Sequence, residues 1–547
     1  MDLPASQQSS TGQAHWLGVF VHPAFALVWL VNTAALIGIA MFDTTSGWLM
    51  TTLDLNPLHV SLVHVATNLP MFLFTLPAGA IADIVNPRRL IVLVSCAVAA
   101  LVSIFAALVS FDLASPTILL LTTFLLSAAW ALNAPAWLSI LPSLVPKQDL
   151  SGAIAAHGVG FNLGRTLGPA LGGFVIMHFG LSTPLWAFVG ANFAVIAALS
   201  WWQGSCRETG ALPAERLSRA VKTGVRHAAN NRPLRATLVR TFAVYPFAAA
   251  YLGLLPLIAR RTGEGAEHYG MLLSMISVGA IIGSLSQRFL NDRINLDWMV
   301  VLGTIGAAIA LFLFAGTQDF VLVLAACLCA GIAWVIVLTT LYVSAQSVLP
   351  DWVRGRGTAI FLTVIFGTMT ISSAAWGQIA GKLGLSEALF LAGVGVLVAI
   401  PLSWRWKLET AGPMDLTPSH HWSPPETAEP IANDRGPVLV KIEYRIDPKD
   451  RTHFLRALDE LGEERRRDGA FAWGVFEDMS EIGRFEEGYL VESWLELMRL
   501  RERVTNEYRI LEDEIRDILL QPPHIEFLVA AEREPLRRNK RAAAVGA

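Results

Sequence analysis

Charge is what this sequence has least of. Asp, Glu, Lys and Arg make up 16% of its 547 residues, against about 25% in soluble domains. Cysteine is scarce too. Cys96, Cys327 and Cys329 fall inside apolar runs and Cys206 in a basic loop, which excludes a disulfide framework and suggests no zinc site. No Gly-x-x-x-x-Gly-Lys occurs, so direct ATP coupling has no support. Residues 1–22 hold no Lys or Arg, which argues against a cleaved signal peptide. A net charge of −3 offers no footprint for nucleic acid.

What is present is long apolar runs. Between Ala24 and Trp404 stretches of 18 to 25 residues are almost free of charge, broken by Gly, Pro or basic residues. A helix of that length crosses about 30 Å of hydrocarbon, and only helices or closed barrels satisfy their backbone there. Twelve spans are expected, at 24–46, 58–82, 90–110, 116–141, 152–177, 183–203, 236–258, 269–290, 298–316, 319–345, 358–380 and 386–404. Acidic residues follow another distribution, with 20 in residues 1–435 and 23 in residues 436–533. A membrane body therefore precedes a soluble acidic domain.

Lys and Arg in the short loops orient the body. With the N-terminus inside, sixteen basic residues lie on the cytoplasmic connections, and only Arg260, Arg261 and Lys382 lie opposite. The N-terminus and the C-terminal domain are then both cytoplasmic, in a plasma (inner) membrane. Gly79 and Gly283, Arg89 and Arg293, and Pro146 and Pro350 are each 204 residues apart. That offset implies two parallel six-helix halves with a substrate site between them near the midplane. The expected organisation is a tail at 1–22, a first half at 23–203, a linker at 204–235, a second half at 236–406, a Pro-rich linker at 407–436, a domain at 437–533 and a basic tail at 534–547.

Charge inside a span is costly and marks function. Asp43 and Arg165 are the main cases, expected to pair and to carry proton coupling. Arg240, near the cytoplasmic start of the seventh span, could snorkel to the headgroups. After the second span comes Gly79-Ala-Ile-Ala-Asp83-Ile-Val-Asn-Pro-Arg88-Arg89. Asp83 at a helix C-terminus is disfavoured by the dipole, so Arg88 or Arg89 would compensate as an ionic latch. In the fifth span, Gly160, Gly164, Gly168, Gly172 and Gly173 leave one helix face bare for close packing, and Pro169 permits a bend. Asn32, Trp130, Asn133, Asn162, Gln346, Trp376 and Gln378 are amide and aromatic groups suited to a cavity for a bulky organic solute.

These motifs resemble known ones. The Gly79–Arg89 stretch is similar to the signature loop of the major facilitator superfamily, with Asn86 and Pro87 in place of the usual Gly-Arg. Gly168-Pro169-Ala-Leu-Gly172-Gly173 resembles a motif of its drug and proton antiporters. Asn133-Ala-Pro-Ala-Trp, Leu141-Pro-Ser-Leu-Val-Pro146 and Asn162-Leu-Gly-Arg165 resemble the transmembrane secretion effector branch, which includes enterobactin exporter-like proteins. The resemblance implies a secondary transporter in the lipid bilayer. It would be a proton-coupled exporter of a small organic molecule (siderophore, drug or metabolite), not an enzyme, with no cofactor or metal.

Residues 438–446 alternate as a strand, 448–467 read as a helix, 471–476 and 488–493 as strands, 495–520 as one long helix and 524–530 as a last strand. The β-α-β-β-α-β order is ferredoxin-like, and its uncovered sheet face favours pairing two copies. The domain resembles antibiotic-biosynthesis monooxygenase-like proteins, and its stretch Glu492-Ser-Trp494 to Thr505 resembles the tail domain of the secretion effector branch. Leu497 and Arg501 stand where that branch usually carries histidines, which counts against catalysis or haem binding. The alternative to transport is a membrane-anchored enzyme or sensor acting through this domain. The fold class expected is an all-α polytopic membrane protein with an α+β cytoplasmic domain.

Overall fold

The structure, a computed structural model, describes residues 16–202, 217–263, 265–291, 293–408, 417, 419, 421–422, 431–432 and 434–531. Most of the expected tail at 1–22, the basic stretch at 204–216, much of the Pro-rich linker and the basic tail at 534–547 lie outside them.

The first body comprises α1 (Pro23–Leu53), α2 (Pro57–Ile84), α3 (Pro87–Ser110), α4 (Pro116–Leu144), α5 (Leu150–Phe179) and α6 (Thr183–Trp201). After the connecting helix α7 (Leu217–Asn230) it continues with α8 (Arg232–Ala248), α9 (Ala250–Thr262), α10 (Ala266–Leu290), α11 (Leu296–Gly316), α12 (Phe320–Ser347), α13 (Asp351–Leu383) and α14 (Leu385–Ser403). Proline opens α1, α3 and α4, where its missing N–H costs nothing. Side chains satisfy other orphan donors: Asn86 accepts from Arg89 N–H at 3.4 Å, Ser115 from Ile118 at 3.3 Å and Asn295 from Trp298 at 3.0 Å.

Among the described residues, eleven helical stretches are long and apolar enough to cross a membrane. The 30-residue α5 is not one of them, because Arg165, His157 and its glycines lower its hydropathy. It nonetheless packs along α1 and α10, inside the bundle. The seventh expected span is two helices, α8 and α9, that form one 31-residue stretch. Neighbour relations repeat between the halves. In the first, α4 touches α2 and α3, and α6 touches α3; in the second, α12 touches α10 and α11, and α14 touches α11.

The glycine stripe of α5 sets the distance between helices. A Cβ at Gly164 would lie 3.0 Å from the Leu36 carbonyl carbon, one at Gly168 3.1 Å from the Ile37 oxygen, and one at Gly172 3.2 Å from Met41 Cα. No larger side chain fits without parting α1 from α5. On the neighbouring face, a Cβ at Gly173 would meet Gly270 Cα of α10 at 3.2 Å, so the same helix also joins the two halves.

The second body comprises residues 222–235, 348–357 and 411–547, and so takes in the first turns of α8 and α13. Its sheet holds β1 (Val438–Arg445), β2 (Ala472–Glu477), β3 (Arg484–Val491) and β4 (His524–Val529) in the order β2-β3-β1-β4, antiparallel throughout. Helices α15 (Arg451–Asp468), α16 (Trp494–Arg503) and α17 (Asn506–Ile518) complete it. The long helix expected at 495–520 is therefore two, because the Thr505 hydroxyl accepts from Tyr508 N–H and starts a new helix. Val438, Val440, Ile442 and Tyr444 point to the buried face, where Phe454, Leu458 and Leu461 of α15 meet them. The opposite face pairs its own charges, Lys441 with Glu486 at 3.0 Å and Arg484 with Glu443 at 2.9 Å.

The stripe yields a contrast. Gly168→Leu should cost about 1–3 kcal/mol of stability by overpacking, lowering the unfolding midpoint of detergent-purified protein. Gly158→Ala, where a Cβ would meet nothing within 4 Å, should leave that midpoint unchanged or higher.

Candidate functional site

The two halves meet from the middle of the bundle toward the end where α1 finishes and α2 begins. Ser277 of α10 donates its hydroxyl to the Arg165 carbonyl at 2.9 Å. His64 of α2 and Ser373 of α13 are hydrogen-bonded at 2.7 Å. Trp48 of α1 stacks on Tyr269 of α10 with ring centroids 6.5 Å apart, and the Arg260 guanidinium lies over the Trp48 ring, 5.4 Å from its centre.

Asp43 and Arg165 both address the opposite half. Asp43 lies in electrostatic range of Tyr269, and Arg165 of Tyr251 in α9. Helix α1 runs on to Leu53, so Asp43 is inside the span rather than at its rim. Thr44 and Thr45 after it return their hydroxyls to the carbonyls of Ala40 and Met41 at 2.9 and 2.8 Å. No ion pair joins Asp43 to Arg165 among the described residues, and the glycine register explains why. Gly164 sits level with Leu36 and Gly172 with Met41 and Thr44. Asp43 is therefore about two turns, or ~10 Å, further along the bundle than Arg165. The guanidinium of Arg165 lies instead 5.9 Å from the Phe161 ring centre.

The seventh crossing is broken at Ala249, just after Pro246. A break in hydrocarbon strands carbonyls that must find other donors. Pro246 O finds two: the Ser372 hydroxyl at 2.6 Å and Trp376 Nε1 at 2.7 Å, both from α13. Trp376 is thus buried support for a discontinuous helix. Discontinuous helices are the form that transporter binding regions take.

Of the other cavity candidates, Asn32, Trp130 and Asn133 converge. They line a gap of about 40 Å³ within the first half, room for a few waters at most. Asn32 Nδ2 lies 3.5 Å from His157 Nδ1, and Asn133 Oδ1 is buried without a partner. Asn162 bonds back to Gly158 O at 2.9 Å, Gln346 is half-buried and Gln378 exposed. His64 was not singled out from sequence, because a histidine counted as neutral does not register as intramembrane charge. Its signal was its place eight residues into an apolar span.

The latch residues divide. Gly79 and Asp83 lie outside the described side chains. Arg88 donates to the carbonyls of Leu199 and Ser200 at 2.8 and 3.3 Å, closing the C-terminus of α6. Arg89 is exposed. The second half has a well-formed cluster that the sequence did not show. Arg240 does not snorkel: it is 1% exposed and pairs with Asp297 at 2.9 Å, in the first turn of α11. Lys407 lies 3.9 Å from the same carboxylate, and Leu408 N–H donates to it at 3.1 Å.

In the second body, α7 contributes His227, completely buried 3.8 Å from Asp468. Burial pushes its imidazole down to about 4, outweighing the pull of Asp468. An ordinary histidine titrates near 6.5, so the unfolded chain binds the extra proton first. This contact is therefore at full strength above about 6.5 and is lost as pH falls toward 4.

A family model described as "Transmembrane secretion effector" matches residues 15–535. The multidrug efflux pump Tap of Mycolicibacterium fortuitum is 26% identical over 368 residues, covering 63% of this chain and 86% of that one. The enterobactin exporter EntS of Escherichia coli is 23% identical over 387 residues, covering 69% and 90%. Among solved structures, the nucleoside transporter NupG superposes with a TM-score of 0.56 at 11% identity, covering 70% of this chain and 98% of that one. A bacterial homologue of the lysosomal transporter Spinster, inward-facing and unoccupied, gives 0.55 at 14%, covering 72% and 98%.

Two measurements follow. Asp297→Asn should cost about 3–5 kcal/mol, because it leaves Arg240 buried without its carboxylate. Adding Arg240→Met should recover a large part of that loss in unfolding of purified protein. Protection of α7 backbone amides against hydrogen exchange, corrected for the intrinsic rate, should drop between pH 6.5 and 4, and Asp468→Asn should lower it already at pH 7. With its matching family, its relatives and a bundle of membrane-crossing helices in two halves, the chain belongs to the transmembrane secretion effector family and is a multi-pass membrane transporter of the major facilitator type.

Proposed function

We propose that the protein exports a small organic molecule across the plasma (inner) membrane, driven by protons and working by alternating access. The carrying observation is that Asp43 and Arg165, exposed side chains within spans of one half, each lie in electrostatic range of an aromatic hydroxyl of the other half, Tyr269 and Tyr251. Charges so placed feel any change in the contact between halves, which is what coupling an ion to rocking requires. Asp43 is the proton carrier, and Arg165 holds the anionic or polar part of the solute.

The direction of transport rests on relatives named as an efflux pump and an exporter. The orientation rests on the sixteen basic loop residues against three. It puts the N-terminus and the second body in the cytoplasm, and puts the joined end of the halves outward. Asp83 with Arg88 or Arg89 remains the proposed latch; with Arg88 holding the end of α6, Arg89 is the better partner. Because the outer sheet face of the second body satisfies its own charges, a second copy there adds contacts without being required.

The test uses inverted vesicles or loaded cells. An uncoupler should abolish efflux of a siderophore or drug that the protein moves, and Asp43→Asn should do the same while leaving substrate binding within about threefold. Arg165→Gln should weaken binding itself. In the double variant the stability losses should add, since the two charges face different partners. Efflux that survives the uncoupler, or a fully active Asp43→Asn protein, ends proton coupling through this residue.

A further inference from the structure

The second body encloses a cavity of about 450 Å³ between its sheet and its helices, within the range that small-molecule sites occupy. Its walls are aliphatic and aromatic, with Ile442 and Tyr489 from the sheet and Leu497 and Met498 from α16. Trp422 closes one side. It comes from the stretch read in the sequence as a Pro-rich linker, and it is fixed by its own N–H on Glu512 at 3.1 Å and by an edge contact to Tyr508 at 5.6 Å.

The charges around the cavity are unequal. Arg465 is 1% exposed and already neutralised: its Nε lies 2.5 Å from Glu487, which also accepts from Tyr444 and Trp473 at 2.7 Å each. Its Nη1 donates to the Tyr508 hydroxyl at 2.6 Å. Glu512 is held by His421 at 2.7 Å. Burial opposes its charge, but His421, Arg465 and Trp422 together hold its carboxyl below the usual range. Arg501 differs. It lines the cavity and gives its Nε to the Trp422 carbonyl at 2.7 Å, and no ion pair to a carboxylate involves it among the described residues. A buried polar network this complete costs ordering and desolvation that an apolar core would avoid. It shapes a lined hollow and, with Arg516 of the lining paired to Asp513 at 2.9 Å, leaves Arg501 as the cation for an incoming anion.

We propose that this cavity binds an amphipathic aromatic carboxylate, its rings between Trp422, Tyr489 and the aliphatic wall, its carboxylate on Arg501. The elements that wall the cavity also hold the connecting segments of the chain. Three residues beyond Arg465, Asp468 faces His227, and the Gly469 carbonyl accepts from Arg226 of α7 at 2.9 Å. Two residues beyond Arg501, Arg503 lies over Trp352, 4.2 Å from the ring centre, in the segment that opens α13. Filling the cavity therefore bears on both α7 and the 348–357 segment, so the site is regulatory. The proposal stands whether or not protons drive transport.

The experiment uses the full chain in lipid nanodiscs, with 2-naphthoate as the probe and isothermal titration as the readout. Naphthoate should bind saturably at one site per chain, at least tenfold more tightly than 2-naphthamide, its neutral analogue. Arg501→Gln should weaken naphthoate at least tenfold and naphthamide little. Ile525→Trp, which fills the cavity from the half-exposed β4 strand, should abolish both without lowering the unfolding midpoint. Absence of saturable binding up to millimolar naphthoate would overturn the proposal. So would binding that neither substitution changes, which would put the probe in the membrane body. Naphthoate should also alter hydrogen exchange in α7 and at 348–357 in the wild-type chain but not in Ile525→Trp; exchange unchanged in both would overturn the regulatory role.

Discussion

In hydrocarbon no water stands ready to take a stray backbone hydrogen bond, and the architecture of the first body obeys that constraint. It makes each crossing a helix, and it puts hydroxyls such as Thr44 and Thr45 back onto carbonyls of their own helix. It also dictates how the crossing broken at Ala249 is repaired. Pro246 and the break at Ala249 are tolerated because α13 supplies a hydroxyl and an indole N–H to the freed carbonyl. Helix association then depends on close packing more than on hydrophobic force, which is why the glycine face of α5 sits directly against the α1 backbone.

What could be read from the sequence follows from which signals are local. Span length and the Gly160–Gly172 spacing are properties of one helix, so the bundle and the close-packing face of α5 were legible in outline. The neighbours of a side chain are not local. Arg240 looked like a snorkelling residue until Asp297, 57 positions away, was found beside it. The support Trp376 gives was hidden, because nothing in its own segment announces a carbonyl left free on α8. Asp43 and Arg165 were expected to meet, since their helices do; only the register of the glycine contacts shows them to be two turns apart.

The second body teaches the same lesson in a soluble setting. Strand alternation and the apolar side of α15 gave the ferredoxin-like order directly. The split between α16 and α17 was hidden because Val504 and Thr505 interrupt no hydrophobic period, and a threonine cap reads as an ordinary helix residue. Composition misled at the Pro-rich stretch, where His421 and Trp422 are structural parts of the domain. A segment can be rich in proline and still supply an aromatic wall.

The repair at Pro246 has a mechanical meaning. Two donors from α13 grip one oxygen at the joint between α8 and α9, so the joint works as a pinned hinge rather than a loose one. The short rod α9 is pinned at a pivot that α13 carries. Were the halves to tilt against each other, a rotation of α13 would carry that pivot with it, displace Tyr251 and change the field at Arg165 on the other half. The proline that interrupts the helix would then be the axle on which motion is exchanged for charge.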